Sequence, residues 1–459
     1  MRNQKDSFLN AAFYGRIAIV RELIAAGADV NKPITITGAT PLFMAAQEGH
    51  TDIVKAFIKA GADVNKPLTI TGATPLFMAA QKGHTDIVKA LIAAGNIDVN
   101  QAKTTDGATS LFIAAQEGRI DIVNALIAAR NIDVNQAKTT GGATPLYIAT
   151  QEGRIDIVKA LIAAGADVNQ ALTTDGATPL HIAAYRGHTD IVNALIAAKD
   201  IDVNQARTTT GATPLFIAAQ ECHTDIVNAL IAAKDIDVNQ ARTTTGATPL
   251  FIAAQECRID IVKALIAAGA DVNQALTTDG ATPLFMAAYK GHADIVNALI
   301  TAGAKINEQD IESYCISEGI KNILKKAAIS QLVSQLLIGT PASIPEEWLK
   351  KLATRQKGVF YNMLLEKCGE DIGLLQTAVD NQTLKEIFSP NGGYFLFEKN
   401  YMKLLREKIS LLSNVDCSAR VDLRSHAQKW QLCGNPKRSS RQQGYSRLGL
   451  KHKAKYKAD

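Results

Sequence analysis

Five of the eight histidines, His50, His84, His188, His223 and His292, fall at one position of an internal repeat, and two residues after each stands an aspartate. Imidazole beside carboxylate is a pairing from which general acid–base catalysis is built. In other units, however, the same position is Arg16, Arg119, Arg154 or Arg258, and a guanidinium stays protonated at physiological pH. A slot that accepts either residue reads as a structural corner. The aspartates, Asp52, Asp86, Asp121, Asp156, Asp190, Asp225, Asp260 and Asp294, read as caps of the helix that follows. Neither a phosphate-cradling glycine loop nor a nucleophile motif is present. Six cysteines show no C-x-x-C, and Cys417, His426 and Cys433 lack a fourth ligand and fit no zinc spacing. We therefore expect no enzyme, no metal, no cofactor, and reduced thiols of a cytosolic protein.

The elements that must position any site belong to the repeat itself. Gly176 to Thr210 recurs with few changes at Gly38, Gly72, Gly107, Gly142, Gly211, Gly246 and Gly280, spaced by 34 or 35 residues, and a degenerate copy starts near Ser7. Within one unit Thr178 is an N-cap and Pro179 suits the first helical position, where its missing N–H costs nothing. Gly187 ends that helix. Thr189 and Asp190 cap a second helix, in which Ile191, Val192, Leu195 and Ile196 form one apolar stripe. A polar Asn- and Thr-rich stretch then leads, as a hairpin-like loop, to the next unit. Units ending as Gly165 to Asn169 have 34 residues, and those ending as Gly95 to Asn100 or Lys199 to Asn204 have 35. The additional residue falls in the corner after the second helix and leaves the helices in register.

The Gly-Ala-Thr-Pro-Leu opening, the Ala-Ala pair, the Gly-His and the closing Gly-Ala-Asp-Val-Asn, best seen at Gly72 to Asn100 and Gly142 to Asn169, resemble the ankyrin repeat. The resemblance covers about residues 4 to 310. It implies an all-α solenoid of about nine helix-turn-helix units, on the order of 90 Å long at about 10 Å per helix layer. This sequence departs from the family in three ways, one of them a loop one residue longer than the common form. Phe43, Phe77, Phe112, Tyr147, Phe216, Phe251 and Phe285 stand where the family usually has the histidine kept at His181. Cys222 and Cys257 replace the helix-ending glycine, placing a side chain in a conformation that costs roughly 1 kcal/mol or more. Repeats this uniform are similar to those of ankyrin proteins from intracellular bacteria and large amoebal viruses.

Four segments are expected: a capping repeat at 1–37, eight repeats at 38–310, a helical capping and C-terminal domain at 311–412, and a basic, disordered tail at 413–459. Ile311, Ile316, Ile320, Ile323 and Leu324 form the closing face of the solenoid, and further helices are expected at 372–387 and 395–412. The formal charge of +5 is unevenly spread: residues 418–459 carry 11 Lys and Arg against 2 Asp. The first residues are polar and no long apolar run occurs, so neither a signal peptide nor a membrane span is expected.

In the ankyrin family partners are met by loop tips and by the two residues after the Ala-Ala pair, on the concave face. Carried over, the pairs are Gln47 and Glu48, Gln81 and Lys82, Gln116 and Glu117, Gln151 and Glu152, Tyr185 and Arg186, Gln220 and Glu221, Gln255 and Glu256, and Tyr289 and Lys290. Tyr185-Arg186 and Tyr289-Lys290 stand out, because aromatics and Arg are enriched at interfaces. Loop residues Asp106, Asp175, Thr210, Thr245 and Asp279 form a second row. The resulting expectation is a monomeric, cytoplasmic, non-enzymatic scaffold or adaptor for a protein partner, acting in a host cytosol or nucleus if delivered as an effector. The alternative is a nucleic-acid-binding regulator: Arg424 to Trp430 resembles the Ser-His-Ala-Gln-Lys-Tyr stretch of a Myb-like recognition helix. Arg424, Lys429, Lys451, Lys453, Lys455 and Lys457 would then contact phosphates. Separately, Ile344 to Leu349 resembles the opening of an F-box, which recruits a ubiquitin ligase.

Overall fold

The computed structural model describes residues 2–33, 36–307, 311, 313, 315–338, 357–369, 371–381 and 401–413. Among them are 22 helices and no strand. The first eighteen form nine pairs. The leading helices, the inner row, are Arg2–Phe13, Pro41–Gln47, Pro75–Lys82, Ser110–Gln116, Pro145–Gln151, Pro179–Arg186, Pro214–Gln220, Pro249–Gln255 and Pro283–Lys290. The trailing helices, the outer row, are Ile17–Ala25, Thr51–Lys59, Thr85–Ala93, Ile120–Ile127, Ile155–Ala163, Thr189–Ile196, Thr224–Ile231, Ile259–Ala267 and Ala293–Thr301.

Each inner helix from Pro41–Gln47 onward starts on a threonine whose hydroxyl accepts the N–H three residues on, as Thr74 does from Phe77 at 3.1 Å. Inner helices pack chiefly on one another, and this close approach explains the Ala-Ala pair: Ala79 and Ala80, Ala183 and Ala184, and their counterparts are fully buried. From the outer row Ile87, Val88 and Leu91, and the matching residues of every unit after the first, are buried against the inner row, while in the first unit only Val20 is. No unit could cover this apolar stripe alone, so stability is shared between neighbours.

The outer helices begin differently from the expectation. Their N-cap is the histidine or arginine of the corner slot, and it makes no side-chain cap bond. Thr189 and Asp190 lie inside the first turn, where the acid still favours the positive end of the helix. The corner side chain is engaged elsewhere, as described below.

Loops adopt a two-bond hairpin turn: the N–H of Lys103 donates to Ala108 O and that of Gly107 to Lys103 O, both at 2.9 Å. Thr69, Thr104, Thr139, Thr173, Thr208 and Thr277 tie their turns to the one before, as when Thr208 N–H donates to Asp175 O at 3.0 Å. Gly176 permits that approach, since a Cβ there would come 2.6 Å from the Thr208 nitrogen. The corner after each outer helix is joined to the next by an asparagine. Asn169 accepts from Asp202 N–H at 2.9 Å and donates to Asp200 O at 2.7 Å, and Asn65, Asn100 and Asn204 repeat both bonds. The longer corners place a left-handed residue beside this ladder: Asn131, Asp200 and Asp235 have φ of 62°, 63° and 62°.

The chain divides into two compact units between Ile323 and Leu324. In the first, Ile306, Ile311, Ile316 and Ile320 are buried after the last pair, whereas Ile323 is half-buried. A helix spans Glu318–Ile338, and Lys357–Cys368, Ile372–Asp380 and Tyr401–Ser413 complete the described part of the second unit. Leu324, Ile329, Leu332, Val333, Phe360, Leu364, Cys368, Leu375, Ala378 and Leu405 are among its buried residues. Burial pushes the Cys368 thiol up to about 11, so it stays protonated and inert at neutral pH.

Candidate protein-binding surface

The paired positions after each Ala-Ala occupy the last turn or C-cap of the inner helices, where the chain must leave the buried stripe. Tyr185, Arg186, Tyr289, Lys290, Lys82, Glu117, Glu152 and Glu256 are exposed, and Gln47, Glu48, Gln81, Gln116, Gln151 and Gln255 are half-buried. In unit seven the order reverses, with Gln220 exposed and Glu221 half-buried. Four Gln-Glu pairs close on themselves. The amide of Gln47 donates to Glu48 at 2.9 Å, Gln151 to Glu152 at 3.2 Å, Gln220 to Glu221 at 3.2 Å and Gln255 to Glu256 at 2.9 Å.

Tyr185 is 52% exposed and Tyr289 49%. The Arg186 guanidinium lies 5.9 Å from the centre of the Tyr185 ring, and Tyr289 stacks on Phe285 at 6.3 Å. The first unit carries a third aromatic site that the sequence reading leaves out. Phe13 and Tyr14 take the paired position there, 38% and 62% exposed, edge to face at 5.0 Å, with Arg16 placed 5.6 Å from the Tyr14 ring centre. The signal was available in the spacing from Ala11-Ala12, but this unit lacks the Gly-Ala-Thr-Pro opening from which the pairs were carried over.

The histidines of the corner slot reach back across the unit boundary to this same turn. His84 Nε2 lies 3.1 Å from Gln47 O, His188 3.4 Å from Gln151 O, His223 3.3 Å from Tyr185 O, and His292 3.3 Å from Gln255 O. The rings of His50, His84, His188 and His223 lie over the helix-ending glycine of the preceding unit, so that a Cβ on Gly187 would meet His223 at 2.8 Å. The histidine is therefore a tie that fixes one paired position relative to the next, and Arg119 and Arg154 lie over Gly83 and Gly118 in the same place. Cys222 and Cys257 occupy the glycine position with φ of 66° and 61°.

At the other end of the inner helix, His181 bonds to Ala212 O of the next unit at 3.0 Å. The phenylalanine rings that replace it in six other units cannot. Three of them instead lie beneath a cation from the following loop: Lys103 at 5.3 Å over Phe77, Lys138 at 5.2 Å over Phe112, and Arg242 at 5.3 Å over Phe216.

The loop row is occupied with turn-making. Asp106, Asp175 and Asp279 each accept the N–H two residues on, at 3.2, 3.0 and 3.0 Å, and the Thr210 and Thr245 hydroxyls do so at 3.3 Å. Asp106 also pairs with Lys138 at 3.1 Å and Lys103 at 3.7 Å, and Asp175 with Arg207 at 3.0 Å. Burial works to raise the Asp106 carboxyl, but the Ala108 N–H and the two lysines outweigh it and hold it below the usual value. Arg424, Lys429, Lys451, Lys453, Lys455, Lys457, Cys417, His426, Cys433 and the 344–349 segment lie outside the described residues.

Stacked helix pairs joined by laddered hairpin turns define a repeat solenoid. A family model described as ankyrin repeats (3 copies) matches residues 8–103, 96–171, 167–242 and 236–310. The chain belongs to the ankyrin-repeat family. No curated protein matches it. Ankyrin repeats generally mediate protein–protein interaction. Among the described residues no helix is long and apolar enough to cross a membrane.

Proposed function

We propose that this chain is a non-enzymatic scaffold that binds a protein partner through the paired positions of its inner row, as a monomer in the cytosol. The observation that carries the reading is the exposure of Tyr185, Tyr289, Phe13 and Tyr14. Among the described residues these are four of the seven exposed large hydrophobic side chains, and all four fall in the paired positions of their units, Phe13, Tyr185 and Tyr289 at the first and Tyr14 at the second. Scattered exposed side chains need no explanation, but aromatics collected on one row do. The mechanism is rigid presentation. Asparagine, histidine and loop ladders hold the row in place before a partner arrives, so little ordering entropy is lost on binding.

The test is affinity capture from a eukaryotic lysate, with nuclease treatment, comparing the full chain with its Tyr185→Ala/Tyr289→Ala variant and with an outer-row control, Lys159→Ala. A discrete protein held by the parent and the control, and reduced about tenfold or more in the tyrosine variant, is the expected result. Equal retention by all three would remove the inner row from the reading. Capture that disappears with nuclease would favour the basic C-terminal segment instead.

A further inference from the structure

Along the inner row a rule longer than one unit operates. Lys82, Arg186 and Lys290 stand 104 residues apart, one in every third unit, and a glutamate stands in each of the two units between them. The residue after the pair is left-handed in every one of these units, Gly118, Gly153, Cys222 and Cys257 included, and only the last helical residue shifts by one. Helices that carry the cation end on a left-handed glycine, Gly83, Gly187 or Gly291, with φ of 84°, 77° and 84°. The glutamates, by contrast, are themselves the C-cap residues of shorter helices.

Helix electrostatics separates the two sets. A cation in the last turn complements the negative end of the helix dipole, and a carboxylate there opposes it. Among the described residues Glu117, Glu152, Glu221 and Glu256 have no Lys, Arg or His nitrogen within 4 Å. Three of them are steadied by the preceding glutamine. Among the described residues no cation pairs with these four charges, so a cationic peptide is a fitting counterpart.

Resting on the inner-row reading above, we propose that the row holds two copies of one subsite for an extended peptide bearing two cationic side chains and then a carboxylate. Glu117, Glu152 and Arg186 form the first copy, and Glu221, Glu256 and Lys290 the second. In each, the cation stands next to an exposed tyrosine, Tyr185 or Tyr289, that offers an apolar plate to the peptide residue beside the carboxylate. Inner helices pack about 8–10 Å apart and an extended chain advances about 3.3 Å per residue. The matching segment is therefore Lys/Arg-x-x-Lys/Arg-x-x-Asp/Glu, in either chain direction, and a tandem partner repeats it about every nine residues.

Isothermal titration of the full chain with two synthetic probes tests this. One is a single Lys-Ser-Thr-Lys-Ser-Thr-Asp peptide with its reversed order as a second form, and the other is a tandem of two copies in a nine-residue period. The single probe is expected to bind two per chain. The tandem is expected to bind one per chain, about 100-fold tighter or more through linkage, with both affinities falling as salt rises. Arg186→Glu and Lys290→Glu, both at exposed positions, should each remove one site and together remove both, while circular dichroism stays unchanged. A stoichiometry of one for the single probe, indifference to both reversals, or absence of binding by every probe would overturn the proposal. Those results leave the capture comparison of the tyrosine variant untouched, so the subsite chemistry can fail while the inner-row reading stands, and the reverse.

Discussion

His181 Nε2 lies 3.0 Å from the carbonyl oxygen of Ala212 in the next unit, while its Nδ1 sits 3.2 Å from Thr178 N and 2.8 Å from Thr178 Oγ1. A carbonyl can only accept and a backbone N–H only donate, so this arrangement assigns the proton to Nε2 and a lone pair to Nδ1. The ring is neutral, and a second proton would face a donor already in place.

Burial holds the His181 pKa down to about 4 from its ordinary 6.5. Between those values the unfolded chain takes up a proton that the folded chain refuses, so stability present above pH 6.5 is lost as pH falls toward 4. The loss is about 3 kcal/mol if the whole shift is expressed. His181→Phe, the residue of most other units, should flatten this dependence. Denaturation midpoints at pH 7 and pH 4.5 for parent and variant are the measurement. An equal acid loss in both would show that other groups carry it.

Cys222 and Cys257 hold a left-handed backbone that glycine adopts freely. Cys222→Gly and Cys257→Gly should each stabilise the solenoid by about 1 kcal/mol, and Gly187→Cys should destabilise it by at least as much, because its Cβ would also crowd His223. Urea titration reads all three. A neutral or harmful Cys→Gly change would mean that the thiol contacts outweigh the strain.

Asn169 carries two bonds across one corner. Asn169→Ala should cost about 1–2 kcal/mol and leave a carbonyl and an N–H without their partner. Since coupling in a stacked array is between neighbours, faster amide exchange is expected at Asp202 first. Uniform loss of protection along the chain would argue against a local tie.

The pairing of helices, the Ala-Ala contact and the corner insertion were legible because Thr178, Pro179, Gly187 and the Ile191 stripe act through local rules. What escaped acts between units. Thr189 and Asp190 have the composition of a cap, yet the residue that opens the helix is His188, whose side chain points to the unit before. No rule of spacing within one unit reveals a bond made to another. Phe13 and Tyr14 escaped because their unit has lost its loop, and the three-unit order of Lys82, Arg186 and Lys290 becomes visible only when units are compared at every third step.

That order also bears on how such a chain can grow. The boundary at Gly176 and the boundary at Gly280 are chemically alike, each preceded by Leu-Thr-Thr-Asp and followed by Ala-Thr-Pro-Leu. Splicing in another 104-residue block at either boundary would create no junction the protein has not already solved. Adding one unit or two would put a cation where a glutamate is due. The lineage can thus change its reach by recombination in whole blocks without frameshift in its surface pattern, and any partner tuned to that pattern would have to lengthen in step.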